Sequence, residues 1–287
     1  MAEGFSVVIP AFNEEKAIGQ SLDGLKKAMN ASGAKYEIIV VDDGSTDGTN
    51  AIAAAMGVKL IKNQSNLGYG ASLKCGIRHS AFDRILIMDA DGSYPVEGIG
   101  ELLRLSGEYD MVVGARTGEK VSIPSIRKPA KWLLNKLANY LSGVKIPDLN
   151  SGLRVMDKKV TEEYIYLLPD GFSFTTTITL IFLSKNYSVK YVPINYLKRK
   201  GKSKIRPFSD TLNFTSLIVR TILYFNPLKI FLPLSLILFT LSLAVFIYSY
   251  FFTEKVLDAT VMILFVGSIQ VLAIGMLADL IDRKGNR

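Results

Sequence analysis

The sequence predicts an α/β protein: a mixed, mainly parallel sheet followed by a C-terminal hairpin of two membrane-spanning helices. Three observations carry that expectation. Short apolar runs alternate with helix-like segments through the first half of the chain. Acidic residues gather just after those apolar runs. Near the C-terminus, residues 230–252 and 259–278 contain no charged side chain.

Strands are expected over 5–9, 36–41, 58–62, 84–88 and 110–113, with helices between them near 15–31, 49–56, 71–80 and 96–106. Strands separated by helices of this length form βαβ units and a parallel sheet. Such sheets take their ligands at the carboxyl ends of the strands. Segment 129–142 places Trp132, Leu133, Leu137, Tyr140 and Leu141 among Lys131 and Lys136. It either lies in a membrane interface or packs its apolar face on the domain. Segment 208–225, with Leu212, Phe214, Leu217, Ile218 and Leu223, reads as interfacial because it leads into the first uncharged run.

Each uncharged run reaches the roughly 20 residues a helix needs to cross a bilayer. The short stretch 253–258 between them is expected to turn the chain back. A pair of buried core helices is the alternative, disfavoured because soluble helices keep a polar face. The expected division is a globular domain over 1–207, an interfacial helix over 208–227, and a hairpin with a short basic tail over 228–287. Lys198, Arg199, Lys200, Lys202, Lys204 and Arg206 precede the hairpin, Arg283, Lys284 and Arg287 follow it, and the turn holds only Lys255. Positive flanks favour the cytoplasmic side, so the large domain and both termini are expected there, on a multi-pass protein of the cell membrane. Residues 1–4 run straight into the first strand with no leader pattern. One cysteine, Cys75, excludes an intrachain disulfide and fits a reducing compartment. The net charge of +8 is read as contact with anionic lipid; nucleic acid is disfavoured because no binding motif accompanies it. Paired hairpins would also allow a homo-oligomer.

The chemistry sits after the strands. The first is followed by Pro10-Ala11-Phe12-Asn13-Glu14-Glu15, the second by Asp42-Asp43-Gly44-Ser45-Thr46-Asp47-Gly48, and the fourth by Asp89-Ala90-Asp91-Gly92. Helix capping by Ser45, Thr46 or Asp47 explains part of one group; it does not explain four further aspartates, which are costly to bury unpaired. Aspartates two apart at a strand end suit a hard divalent cation, Mg²⁺ or Mn²⁺, shared with diphosphate oxygens. His79 is the only histidine and is expected on a helix surface; Cys75 is expected to pack. Gly68 and Gly70 lack a third glycine at Leu73, so no dinucleotide site is expected.

These motifs, with Asn66-Leu67-Gly68-Tyr69-Gly70, resemble the inverting family 2 glycosyltransferases of the GT-A fold over most of residues 5–227. The nearest likeness is to dolichol-phosphate mannose synthases and bacterial polyprenyl-phosphate glycosyltransferases. Asp148-Leu149-Asn150-Ser151-Gly152-Leu153-Arg154 resembles their Asp-X-X-Ser-Gly-Phe element, and 196–204 their Arg-X-Gly-X-Ser-Lys element. No Gln-X-X-Arg-Trp element of the processive synthases is found. Ser93 stands where many mannose synthases have Gln, Phe12 where Tyr is frequent, and 172–177 lacks a glutamate often seen there.

The resemblance implies a nucleotide-sugar site at Pro10, Ala11, Asn13, Glu14, Asp42, Gly44, Asn66, Gly70, Asp89, Ala90, Asp91 and Arg116, with the metal on Asp89 and Asp91. Asp91 and Asp148 would be catalytic, Asp148 as a base or as an orienting group. The expected acceptor is a polyprenyl phosphate (dolichyl or undecaprenyl), held by Arg127, Ser151, Arg199 and Lys204, because arginine forks suit phosphate. Its phosphate, with a second pKa of about 6, is already nucleophilic at neutral pH, and one displacement on a GDP- or UDP-sugar inverts the anomeric centre. The alternatives are extension of a lipid-linked saccharide, another lipid acceptor, or an idle membrane scaffold. Intact Asp42, Asp89, Asp91 and Asp148 argue against the last.

Overall fold

The computed structural model describes residues 4–118, 135–136, 138–140, 142–197, 219, 223, 226–252 and 258–285. They fall into two compact units, divided between residues 218 and 219.

The first unit follows the expected alternation. Its elements are β1 (Phe5–Ala11), α1 (Ile18–Ser32), β2 (Tyr36–Asp42), α2 (Thr49–Ala55), β3 (Lys59–Lys62), α3 (Tyr69–Arg78), β4 (Arg84–Ile87), α4 (Ile99–Leu105) and β5 (Met111–Ala115). Then come β6 (Arg154–Asp157), α5 (Lys158–Glu163), α6 (Phe174–Ser184) and β7 (Val189–Pro193). Strand β1 is buried along its whole length, as a strand covered on both faces must be. Helix α1 buries Ile18, Leu22, Leu25 and Met29, spaced for one helical face; each contributes about 1.5–3 kcal/mol of burial. It stops at Gly33, whose left-handed φ of 68° lets its N–H reach the Asn30 carbonyl.

The seven strands run in the order β3-β2-β1-β4-β6-β5-β7. β6 pairs antiparallel with both β4 and β5; the other pairings are parallel. This arrangement builds the site edge. The carboxyl ends of β1, β2, β4 and β5 lie together. Because β6 runs the opposite way, with Arg154 beside Ile87 and Val113, the segment entering β6, residues 148–153, arrives at that same edge.

The second unit contains α7 (Leu228–Phe252) and α8 (Asp258–Gly285), covering both uncharged runs. Mean hydropathy reaches 2.6 and 2.4 in their most apolar windows. At ~1.5 Å per residue α7 measures about 37 Å, enough for the ~30 Å hydrocarbon core of a bilayer. Ser235, Ser242 and Ser249 recur every seven residues and are buried. The hydroxyl of Ser235 donates to the Ser268 carbonyl and that of Ser242 to the Val261 carbonyl, each at 2.9 Å. Gly275 lies against Phe231. Small residues and hydroxyls at the contact are how helices pair where the surroundings are apolar. The expected interfacial helix falls almost wholly outside the described residues, as does the turn.

Candidate active site

At the carboxyl edge of the sheet opens a cavity of about 450 Å³. Pro10, Ala11, Phe12 and Glu14 reach it from β1, Asp43 from β2, Asp89, Ala90 and Asp91 from β4, Arg116 from β5, and Asn150 and Gly152 from the approach to β6. Asn66, Gly68, Tyr69 and Ser72 join from α3 and the loop before it, and Phe172, Thr175 and Tyr196 complete the wall.

The first two motifs knit together before they meet any ligand. The Asn13 N–H donates to Ser45 Oγ at 2.9 Å, and Asn13 Oδ1 accepts from the Thr46 N–H at 2.8 Å. The Glu14 N–H donates to Thr49 Oγ1 at 2.8 Å. Asn13 therefore serves the turn, in a left-handed conformation with φ 53°. Asp42 is similarly engaged, accepting from the Ser45 N–H and from Asn50 Nδ2, and it is Asp43 that reaches the cavity. Asp43 also accepts from Asn63 Nδ2 and the N–H groups of Leu67 and Gly68, fixing the loop that presents Asn66. Gly44, with φ 75°, leaves room for the Ser65 backbone, 2.8 Å from where its Cβ would stand.

The glycines around Tyr69 have a packing task. A Cβ on Gly68 would meet the Asp170 carbonyl at 2.5 Å, and one on Gly70 would strike the Pro169 carbonyl. Their absence lets segment 169–172 lie across the start of α3. There the Asp170 carbonyl accepts from the N–H groups of Gly70 and Ala71, and Lys74 pairs with the Asp170 carboxylate at 2.7 Å. Phe172 then stacks on Tyr69 with centroids 5.6 Å apart. Gly70 itself does not line the cavity; its N–H and its missing side chain serve this seat for 169–171.

Tyr69 donates its hydroxyl to Asp89 Oδ1 at 2.8 Å. Burial, reinforced by the Asp89 charge, holds that hydroxyl well above the ordinary tyrosine pKa, so it remains a donor. Ser93 donates both its N–H and its hydroxyl to Asp91 Oδ1, at 3.0 and 2.5 Å. Gly152 backs Asp89 so closely that a Cβ there would lie 2.5 Å from Oδ2. No set of three or more His, Cys, Asp or Glu side chains able to share an ion occurs among the described residues. Two cavity-lining carboxylates nonetheless fit Mg²⁺ or Mn²⁺, since such ions take one or two carboxylates and complete their shell with substrate phosphate and water.

Arg116 holds the other charge. Its Nε and Nη2 grip the two oxygens of Asp148 at 2.7 and 2.8 Å, its N–H donates to Oδ2 at 3.0 Å, and Nη2 also reaches Asn150 Oδ1 at 2.6 Å. The guanidinium sits 5.2 Å from the Tyr196 ring centroid. Burial opposes its charge, but Tyr94 and Asp148 outweigh that and raise its pKa further. Asp148, 1% exposed, does not line the cavity; its carboxylate is a holder of Arg116. The Ser151 hydroxyl is equally withdrawn, donating to the Gly114 carbonyl at 2.6 Å. Arg127, Arg199 and Lys204 lie outside the described residues. Sequence reasoning did not name Phe12, Asp43, Gly68, Tyr69, Ser72, Asn150, Gly152, Phe172, Thr175 or Tyr196 as site residues, although all but Ser72 stood within the motif segments it singled out. His79 is exposed at the end of α3, as expected, its Nδ1 2.8 Å from the Cys75 carbonyl.

Two family models match this sequence: "Glycosyl transferase family 2" over residues 6–165, more than half of the chain, and "GtrB C-terminal hairpin" over residues 226–283. Among curated relatives, a dolichyl-phosphate hexose transferase of Haloferax volcanii is 27% identical, with 77% of this chain and 95% of the relative covered. A prophage bactoprenol glucosyl transferase homolog of Escherichia coli is 29% identical, with 97% and 93% covered. Among solved structures, glucosyl-3-phosphoglycerate synthase of Mycobacterium tuberculosis, in complex with Mn²⁺, UDP and glucosyl-3-phosphoglycerate, superposes with a TM-score of 0.59 at 20% identity over 77% of this chain and 79% of that one. That likeness carries the GT-A fold, and the hairpin match marks a membrane-associated protein.

Proposed function

This chain belongs to glycosyl transferase family 2, and from that premise we propose that it moves a hexose or related sugar from a nucleoside diphosphate sugar to a polyprenyl phosphate. The observation that carries the reading is the convergence of Asp89, Asp91 and Arg116 on one cavity at the carboxyl edge of the sheet. A guanidinium, together with a cation held by the two carboxylates, would offset the charge of a nucleoside diphosphate. The acceptor class rests on the relatives named for dolichyl phosphate and bactoprenol and on the hairpin match over residues 226–283, which would keep the chain at the membrane where a lipid acceptor lies.

Pro10, Ala11, Glu14, Asp43 and Asn66 line the part of the cavity assigned to the base and ribose. Arg116 faces the diphosphate, kept in place by Asp148 and Asn150. Asp89 and Asp91 would hold the cation, Mg²⁺ or Mn²⁺; when bound, it neutralises charge developing on the departing diphosphate. The structural relative in complex with Mn²⁺ and UDP supports this assignment. Asp148 acts as a positioning group, and no protein base is needed for an acceptor that is already anionic. Arg127, Arg199 and Lys204 are the proposed captors of the lipid phosphate. The hairpin is placed across the bilayer with the catalytic domain, about 1–207, and both termini in the cytoplasm. Cysteines introduced at Thr253 and Asn286 in a Cys75→Ser background test the topology: Thr253 should label from outside and Asn286 should not.

The direct test incubates membranes holding the protein with polyprenyl phosphate and a panel of radiolabelled GDP- and UDP-sugars. A mild-acid-labile lipid-linked product is expected. Label appearing instead on a neutral lipid alcohol or a preformed lipid-linked saccharide would assign the acceptor differently, and no transfer from any donor would favour the idle scaffold.

A further inference from the structure

We propose that Tyr69 and Ser93 are positioning residues that set the two aspartates for a divalent cation. The inference rests on the metal site assigned above and names what builds it. Each aspartate of the Asp89-Ala90-Asp91 triplet is held at Oδ1 by a neutral hydroxyl: Asp89 by Tyr69 at 2.8 Å, Asp91 by Ser93 at 2.5 Å. Tyr69 reaches Asp89 from 20 positions earlier in the chain, and Ser93 follows Asp91 by two positions in the same loop. Tyr69 opens α3, and Ser93 lies in the loop that leaves β4.

Both holders are themselves fixed. The Tyr69 ring is stacked by Phe172 on a segment clamped to α3 through Asp170 and Lys74. Gly152 packs close to Asp89, where any side chain would collide with the carboxylate. Ser93 is fully buried and does not line the cavity, so it is not itself placed to ligate. Its N–H and hydroxyl converge on one oxygen of Asp91 and fix the rotation of that carboxylate. A neutral donor orients a carboxylate without cancelling its charge, as a lysine or arginine would. Groups that orient metal-ligating side chains in this way typically contribute 10–100-fold to metal affinity. A local turn contact alone would leave metal affinity untouched.

The test is a Mn²⁺ titration of the full-chain protein in detergent, followed by electron paramagnetic resonance of free Mn²⁺, with UDP and separately with GDP. Tyr69→Phe keeps the stacked ring and removes the hydroxyl; Ser93→Ala removes the other. Asp89→Asn is the benchmark for a lost ligand. We expect each hydroxyl variant to bind Mn²⁺ about 10–100-fold more weakly than wild type, with an unchanged melting temperature in chelator. Should Tyr69→Phe prove unstable, Ser93→Ala carries the test. Wild-type affinity in both variants, alongside a loss in Asp89→Asn, would overturn the proposal and leave the metal site standing. A wild type that binds Mn²⁺ with neither nucleotide would overturn the metal site and this proposal with it.

Discussion

Replacing Gly152 with alanine isolates the aim of Asp89 from the rest of the site. Gly152 is not among the glycines with positive φ, so the backbone accepts alanine without strain and only space is at issue. The new methyl would stand 2.5 Å from Asp89 Oδ2, 2.6 Å from Oδ1 and 2.7 Å from Cγ. That is roughly 1 Å inside an ordinary carbon–oxygen contact of about 3.3–3.6 Å. Tyr69 holds Oδ1 of the same carboxylate, so the carboxylate must swing off its donor to make room. Misplacing a reacting group by about 1 Å costs on the order of a hundredfold in rate, or about 2.7 kcal/mol of transition-state stabilisation. The crowding itself should cost about 1–3 kcal/mol of stability. Initial rates of sugar transfer, with the melting temperature and metal-free nucleotide binding as controls, separate these effects. The expected variant is folded, binds nucleotide in chelator as wild type does, and turns over about a hundredfold more slowly. A folded variant working at close to the wild-type rate would refute the claim that the exact placement of Asp89 matters.

Chelation should abolish turnover, and Mg²⁺ or Mn²⁺ should restore it; full activity of Asp91→Asn in chelator would dismiss the metal. Arg116→Lys replaces a fork that grips both Asp148 oxygens with a point charge. It should lose about 1.5–3 kcal/mol, read as a ten- to hundredfold drop in kcat/KM; unaltered kinetics would remove Arg116 from the diphosphate site. Burial pushes the Tyr191 hydroxyl up from 10.0 to about 12, with Arg154 opposing the shift and Asp148 adding to it. Since the folded value is the higher one, its contribution is complete below pH about 10 and is lost as pH climbs towards about 12. Tyr191→Phe should flatten that part of the alkaline fall in denaturation free energy, and parallel wild-type and variant curves would contradict it. Arg154 is fully buried, donating to the Ser151 and Thr175 carbonyls and to Thr179 Oγ1. Arg154→Ala should destabilise the domain by several kcal/mol, because each orphaned acceptor costs about 1–3 kcal/mol; an unchanged melting temperature would show that water replaces it.

The sheet was legible where burial writes itself as apolar runs. Val7, Val8 and Ile9, Ile38 to Val41, and Ile85 to Ile87 are strand cores covered on both faces, and they mark β1, β2 and β4 within two residues at either end. β6 was not legible, because its four residues begin with Arg154 and end with Asp157, and nothing in that pattern announces a central strand. The buried arginine is acceptable there only because carbonyls across the fold receive it, a fact of tertiary geometry. The acidic clusters pointed to the right edge of the sheet but not to the division of labour within them. Asp42 and Asp43 are adjacent and almost equally buried; Asp42, the last residue of β2, bonds to Ser45 and Asn50, while Asp43, just past the strand, lines the cavity. Asp148 stood out as a motif carboxylate, yet its role depends on Arg116, 32 positions earlier. Tyr196 and Phe172 sit in segments whose pattern gives no sign that they close a wall.

Strand β6 also bears on how the domain is made on the ribosome. Among the described residues it is the four-residue join between the half-sheet β3-β2-β1-β4 and the pair β5-β7, and it is synthesised after β5. Until residues 154–157 emerge, β4 presents an open edge, the kind of surface that recruits foreign strands. The two aspartates at its end are already made by then, as is Gly152, but Phe172, Thr175 and Tyr196 of the cavity wall are not. A nascent chain stopped short of Asp157 therefore holds a half-sheet with half an active site and a sticky border. Newly synthesised molecules pass through this exposed state before the C-terminal hairpin has been translated, so chaperone engagement should concentrate on chains of that length.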